Sequence, residues 1–214
     1  MEKIATEALG VKVTIGSMDV VLQEKLVSVS SVRVSNPKGF SKPYAVSVDT
    51  AQILLGDLSK GLIDFRSIDV FGTKVFLEVQ EGTTNLHRLK QGIQGRSAAS
   101  EEGEPVKVMI RKFSIDGAEL TPSVTLISQQ DLKPVQVSPV TLSNIGVKEK
   151  GIPAHDAVAR IVQSLLKAFG KEAGNAGFYE GLSSDALKEI GQAQFGEIQK
   201  QVDKIGEDLK NIFN

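Results

Sequence analysis

The sequence predicts an α+β protein: a twisted, largely antiparallel β-sheet of kinked-strand repeats over roughly 11–147, with a helical C-terminal segment from 152 on. Three observations carry this prediction. Apolar residues alternate with polar ones at period two through most of the first part, as in strands with one wet face. An apolar spacing of three and then two positions recurs there four times. From Ile152 the apolar spacing becomes three and four, as on a helix face.

A chain of 214 residues can hold one substantial domain with a helical appendage, here read as a β-rich part (1–150) and a helical segment (151–214). Its 41% hydrophobic and 24% charged residues are those of an ordinary globular protein. A net charge of −1 with no basic stripe argues against nucleic-acid binding, which rests on phosphate neutralisation. With no cysteine there is no disulfide, thiolate metal site or cysteine nucleophile. No apolar run reaches the roughly 18–20 residues that span a bilayer. No signal peptide is visible, so the expectation is a chain that is soluble as it stands or that begins after a removed segment.

In order, Ile4, Ala5, Ala8 and Leu9 share a helical face, and Gly10 is a plausible stop. Val11, Val13 and Ile15 alternate, Gly16-Ser17 breaks the run, and Met18, Val20 and Leu22 alternate again, which reads as a hairpin. Gln23-Glu24-Lys25 is the next turn, and Val29–Ser35 is a strand ended by Asn36-Pro37 and Gly39. After a loop at 41–44, strand patterns run through 45–58, 65–70 and 75–79, the last with Phe76 and Glu78 on its other face. Leu86, Leu89 and Ile93 have helical spacing, and 94–105 is small, polar and charged, the pattern of a flexible loop. Strands resume over 106–115, 120–128 and 135–142.

The recurring pattern is Val29-x-x-Val32-x-Val34, Phe65-x-x-Ile68-x-Val70, Ile110-x-x-Phe113-x-Ile115 and Val137-x-x-Val140-x-Leu142. Three-then-two spacing breaks alternation as one extra residue in a strand would. In the middle copies a glycine follows (Gly72, Gly117) and then another strand, so the predicted unit is a kinked strand, a tight turn and a partner strand.

Beyond Ile152, Pro153 stands as a first helical residue, and a stripe from Ala157 to Phe169 ends at Gly170. A last helix follows an N-cap at Ser184 and carries Phe195, Ile198, Val202, Ile205, Leu209 and Ile212 at spacings of three and four, a candidate partner seam. The first reading of that seam is packing on the sheet or on the preceding helix, and the alternative is a partner.

Nothing points to catalysis, and the expectation is a protein that is not an enzyme and carries no cofactor or metal. The two histidines, His87 and His155, read as surface residues, and His155-Asp156 is no preset dyad because helical neighbours diverge by about 100°. Asp57, Asp64, Asp69, Asp116 and Glu119 fall at strand ends and turns, where carboxylates are usually solvated. There is no phosphate loop, G-x-S-x-G or H-E-x-x-H, and no tryptophan to stack bases. What remains is the sheet. An apolar face that helices cover only in part leaves a groove suited to acyl chains; full coverage leaves an ordinary core.

The run V-R-V-S-N-P-K-G-F-S-K-P-Y-A resembles the N-terminal region of AsmA-like proteins of the bacterial envelope, on Asn36, Pro37, Gly39, Phe40, Pro43 and Tyr44. The preceding G-V-K-V-T-I-G-S-M-D-V and the following R-S-I-D-V-F-G-T-K-V-F-L-E-V with Asn85-Leu86 fit the same pattern, and 108–146 fits it more loosely. Asn-Pro after an alternating strand also occurs in late-embryogenesis-abundant type β-sandwiches, the alternative fold. The helical end has no match in the family.

The resemblance implies the periplasmic side of a diderm envelope and a body related to chorein-type lipid-transfer bridges, whose curved sheets hold lipid on an apolar face. It also implies inner-membrane association through an N-terminal helix absent here, with 2–9 as its trailing end. A chain this short would be one module, a cap or a subunit, not a whole bridge. The expectation is a non-enzymatic envelope protein that binds phospholipid or another acyl-chain ligand. Val75, Leu77, Val79, Val106, Val108, Val124 and Leu126 are the candidate lipid-facing residues, and Asn36, Pro37, Gly39 and Phe40 the structural motif. The alternative is a structural or assembly subunit of an envelope complex that oligomerises, with itself or another envelope protein, through its C-terminal helix.

Overall fold

A computed structural model describes residues 2–59, 61–80, 83–97, 106–124, 130–131 and 133–175. Helix α1 (Glu2–Leu9) leads into β1 (Val13–Thr14), β2 (Ser17–Val21), a 3-10 turn at Leu22–Glu24, β3 (Leu26–Ser35) and β4 (Tyr44–Ser59). Then come β5 (Leu62–Phe71), β6 (Lys74–Gln80), β7 (Thr83–Thr84) and α2 (Asn85–Ser97). The rest is β8 (Lys107–Asp116), β9 (Ala118–Val124), β10 (Gln130–Asp131), β11 (Val135–Val137), β12 (Val140–Ile145), β13 (Ile152–Pro153) and α3 (Ala154–Asn175). The fold is α+β, a twisted open sheet with helices. The 13 strands of the described residues form one sheet, antiparallel except where β5 pairs with β8 and β6 with β9.

Register shows that many of these segments are halves of longer strands. Both β1 and β2 pair with β3, from Val13↔Val34 to Val21↔Leu26, so the expected hairpin over 11–22 is instead one bent strand. Gly16 does not turn the chain: a Cβ there would lie 2.8 Å from the Cβ of Ser31, a close approach that excludes a side chain. Likewise β5 and β6 both pair with β4, from Ser59↔Leu62 to Val46↔Val75. Gly72 is therefore a bend within a strand, correcting the turn-and-partner-strand reading of the repeat. The same holds for β8 and β9 at Gly117, and for β11 and β12 along them.

The bends line up. Continuing each register sets Gly16 beside Ser31, Ser31 beside Asp49, Asp49 beside Gly72, and Gly72 beside Gly117. Ser31, Gly72 and Gly117 have φ of 55°, 62° and 67°, a left-handed residue between extended flanks, which redirects a strand. A single crease therefore crosses the sheet. A second lies at Arg66, the extra residue where β5 slips against β4 between Leu54 and Leu55, and reaches Asn144 (φ 59°) in β12.

The two middle copies of the repeat lie side by side: Phe65↔Ile110, Ile68↔Phe113 and Val70↔Ile115 pair in parallel at a constant offset of 45 residues, and their three-residue gaps fall on the second crease. The outer copies cross the first crease instead, at Ser31 and between β11 and β12. One spacing thus arises from two different bends.

Helices α1, α2 and α3 gather on one side over a core that includes Val75, Leu77, Leu120, Ile110, Phe113 and Ile115. Gly10, at φ 73°, ends α1 with its N–H donating to the Thr6 carbonyl at 2.9 Å. The Thr84 hydroxyl caps α2 by accepting the His87 N–H at 3.1 Å. Two helix limits differ from expectation. Pro153 pairs with Lys107 in β13 and α3 starts one residue later, while Gly170 is buried within α3, which runs on to Asn175. Residues 94–97 of the expected loop continue α2, and 98–105 lie outside the described residues. So do Leu126, Ser184 and the whole seam of Phe195, Ile198, Val202, Ile205, Leu209 and Ile212.

Candidate functional site

The two faces of the sheet differ sharply in chemistry. Val20, Val27, Ile53, Ile68, Phe113 and Leu142 are successive cross-strand partners in one row from β2 to β12. A second row on that face is Met18, Val29, Ala51, Val70, Ile115 and Val140. Between them, on the opposite face, runs Asp19, Ser28, Gln52, Asp69, Ser114 and Thr141. Side chains alternate between faces along a strand, so the two apolar rows share one face and the polar row lies on the other, where Val21, Leu26 and Leu54 adjoin it near the β2 edge.

Among the described residues, the helices cover only part of the apolar face. Phe113 and Ile115 are buried, and Ile68, Phe65 and Ala51 still pack against the core. Toward β2 the cover ends: Val27, Ile53 and Leu55 are only half-buried, while Met18, Val20 and Leu22 are 48%, 49% and 79% exposed. Val29 is the buried member of this part of the face. A groove of about 430 Å³ lies here, lined by Val20, Leu22, Val27 and Leu55, with Lys25, Gly56 and Asp57 at one end. That volume falls within the ~300–1,000 Å³ typical of small-molecule sites. At its polar end Lys25 Nζ lies 3.5 Å from Asp57 Oδ1 and donates to the Gly56 carbonyl at 3.4 Å. Between α2 and α3 a second cavity, of about 20 Å³, has room for little more than a water.

The residues expected to face lipid are mostly elsewhere. Val75, Leu77, Val79 and Val108 are buried, at 1%, 4%, 0% and 6% exposure, and belong to the helix-covered core. They are corrected from groove lining to core, because α2 packs on β6 and α3 on β8. Val106 is exposed but precedes β8, and Val124 is in β9 with its side chain outside the described residues. The groove residues Val20, Leu22, Val27 and Leu55 were missed. Their signal was an apolar row longer than the helices that follow could cover, visible only once the 11–22 run is recognised as a single strand.

The Asn-Pro-x-Gly-Phe motif forms a polar latch. Asn36 Nδ2 donates to the Lys42 carbonyl at 2.9 Å, and Gly39, at φ 98°, turns the loop. The Ser41 and Lys42 N–H groups donate to the Glu78 carboxylate at 2.7 and 3.1 Å. Asn85 completes the latch: its Nδ2 donates to Asn36 Oδ1 at 2.8 Å and to the Phe76 carbonyl at 2.7 Å, and its Oδ1 accepts the Glu78 N–H at 2.9 Å. Glu78 and Asn85 are both fully buried, so these bonds satisfy groups that would otherwise be costly to bury. The loop thus lies over the Glu78 carboxylate of β6, and the Arg88 guanidinium of α2 stands 5.9 Å from the ring centre of Phe40. Pro37 lies in the loop beyond β3, which ends at Ser35.

Two further carboxylates depart from expectation. Asp64 is buried rather than solvated and accepts two bonds from Arg111 Nε and one from its Nη2, the last at 2.8 Å. Burial pushes the Asp69 carboxyl up, but hydrogen bonds from Lys112, Ser114 and Ser67 together hold it below its ordinary range. His155 Nε2 reaches Asp156 Oδ1 at 3.4 Å despite their divergence on the helix, and both are partly exposed. His87 is half-buried, not a surface residue. Among the described residues no group of three or more His, Asp or Glu is placed to hold a metal, and no helix is long and apolar enough to cross a membrane.

No protein-family model, curated protein or solved structure matches this chain.

Proposed function

We propose that the protein is a non-enzymatic lipid-handling protein that holds an acyl chain against the uncovered part of its apolar sheet face. The observation that carries this reading is the continuity of that face. The row from Leu142 to Val20 begins beneath the helices and ends in solvent without any change of residue character. Contiguous exposed apolar surface of this kind marks a binding site more often than idle surface. An acyl chain laid along Val20, Val27 and Leu55 would gain about 0.8 kcal/mol for each CH₂ it buries. It needs few polar partners, and Lys25 with Asp57 offers a charged end for a headgroup. The periplasmic, inner-membrane-associated setting implied by the AsmA-like resemblance belongs to the same proposal.

Native mass spectrometry of protein purified from cells, followed by lipid extraction, tests it. The expected result is acyl-lipid adducts on the wild-type chain and their loss in Leu55→Asp, with an unchanged circular dichroism spectrum. Wild-type protein that carries no lipid and takes none from phospholipid vesicles would overturn the proposal.

A further inference from the structure

The apolar groove ends on two opposite charges, Lys25 and Asp57, and the backbone places both of them there. Strand β4 slips against β5 between Leu55 and Leu58, so Gly56 and Asp57 together oppose Asp64. A bulge of this kind re-aims a side chain away from the ladder, and bulges are common beside binding sites. The Asp57 side chain is accordingly 91% exposed. Lys25 is fixed from the other side: at φ 53° it caps the 3-10 turn, and its carbonyl accepts the Leu55 N–H at 2.8 Å.

The two charges satisfy each other poorly. They stand 3.5 Å apart, and the Lys25 side chain is itself half exposed. An ammonium has three hydrogens to donate, and Lys25 Nζ makes one long bond, to the Gly56 carbonyl at 3.4 Å. Among the described residues this ion pair is the one polar contact of Asp57, whereas neighbouring Asp64 is buried and held by Arg111. Exposed pairs of this kind contribute little to stability, so a ligand can open this one at small cost.

We infer that the groove selects a zwitterionic phospholipid bearing a primary amine, with its phosphate on Lys25 and its ammonium on Asp57. This inference rests on the acyl-chain reading of the groove and adds the headgroup to it. Charge complementarity decides between the candidates. A fatty acid or an anionic phospholipid meets Lys25 but sets a second negative charge beside Asp57, and such like-charge contacts reject a ligand. A choline headgroup carries both charges, but its quaternary nitrogen has no hydrogen to give the carboxylate. A primary ammonium forms a charge-assisted hydrogen bond there, about twice as strong as a neutral one.

The chain is mixed with vesicles of equal parts phosphatidylethanolamine, phosphatidylglycerol and phosphatidylcholine with identical acyl chains, and the bound lipids are counted by native mass spectrometry. Wild-type protein is expected to carry phosphatidylethanolamine at least about threefold in excess over each of the others, the scale of one exposed charged contact. Asp57→Asn should lose that excess, while Asp116→Asn, which removes an exposed carboxylate at the end of β8, should keep it. Three results would overturn the headgroup assignment and leave the acyl-chain reading standing: uptake in the proportions of the vesicle, an excess that survives Asp57→Asn, or an equal loss in Asp116→Asn. Uptake of no lipid at all would overturn both.

Discussion

At the scale of single residues, the buried polar groups are the most informative. Asn85 ties two groups of β6, the Phe76 carbonyl and the Glu78 N–H, to the Asn36 side chain in the loop after β3. Asn85→Ala strands all three, and leaving buried polar groups unpaired at roughly 1–3 kcal/mol each should cost about 3 kcal/mol in all. Lys38→Ala, an exposed change in the same loop, should fall within about 0.5 kcal/mol of wild type. Urea unfolding of the two variants measures the difference. The motif around Asn36 was legible as structural, since Asn-Pro and Gly punctuate a strand. Its partners were not. Glu78 sits in an ordinary alternating run and reads as a wet-face carboxylate, because nothing local says that a loop some 37 residues earlier folds over it. Asp64 and Arg111 pose the same difficulty: their pairing follows from the parallel neighbours β5 and β8, and sequence period is blind to which strands are neighbours.

At the scale of elements, strands were recognisable by alternation, but their ends were misjudged wherever a glycine fell. Gly16, Gly72 and Gly117 resemble turn residues and are bends inside long strands. The distinction depends on whether the flanking segments pair with each other or with a common third strand, and only register reveals that. The creases carry a graded prediction. Gly72 and Gly117 both have positive φ, where an alanine is strained by about 1–2 kcal/mol. At Gly72 the added Cβ also runs into the Asp49 carboxylate, while at Gly117 it meets nothing within 4 Å. Gly72→Ala should therefore destabilise more than Gly117→Ala, by at least about 1 kcal/mol in thermal or urea unfolding. Equal losses would mean that the Asp49 contact at Gly72 adds nothing to the backbone strain that the two bends share.

At the scale of the whole molecule, fold class and the position of α3 were readable from the change of apolar period near Ile152. The idea that the helices cover only part of the sheet was also within reach, since it is a matter of supply: a long apolar face and short apolar helices. Which part stays bare could not be read. The candidate residues fell at the β6, β8 and β9 strands, whose apolar runs are the strongest in sequence and therefore the ones the helices cover. The weaker, more polar-looking hairpin of β2 and β3 is left open instead. An apolar row that runs to the β2 edge, with a row of aspartate, serine and glutamine on the opposite face, makes the β2 end of the sheet the place where the proposed ligand would lie.

The central claim can be tested with a single fluorophore, because the chain contains no tryptophan. Val27→Trp places one on the apolar face beside Ile53, and Gln52→Trp places one on the polar face one residue away. Each variant is mixed with phospholipid vesicles whose acyl chains are brominated, and tryptophan quenching is read. Acyl-chain binding in the groove predicts strong quenching at Val27→Trp and little at Gln52→Trp. Equal quenching at both positions, or none at Val27→Trp, would contradict it.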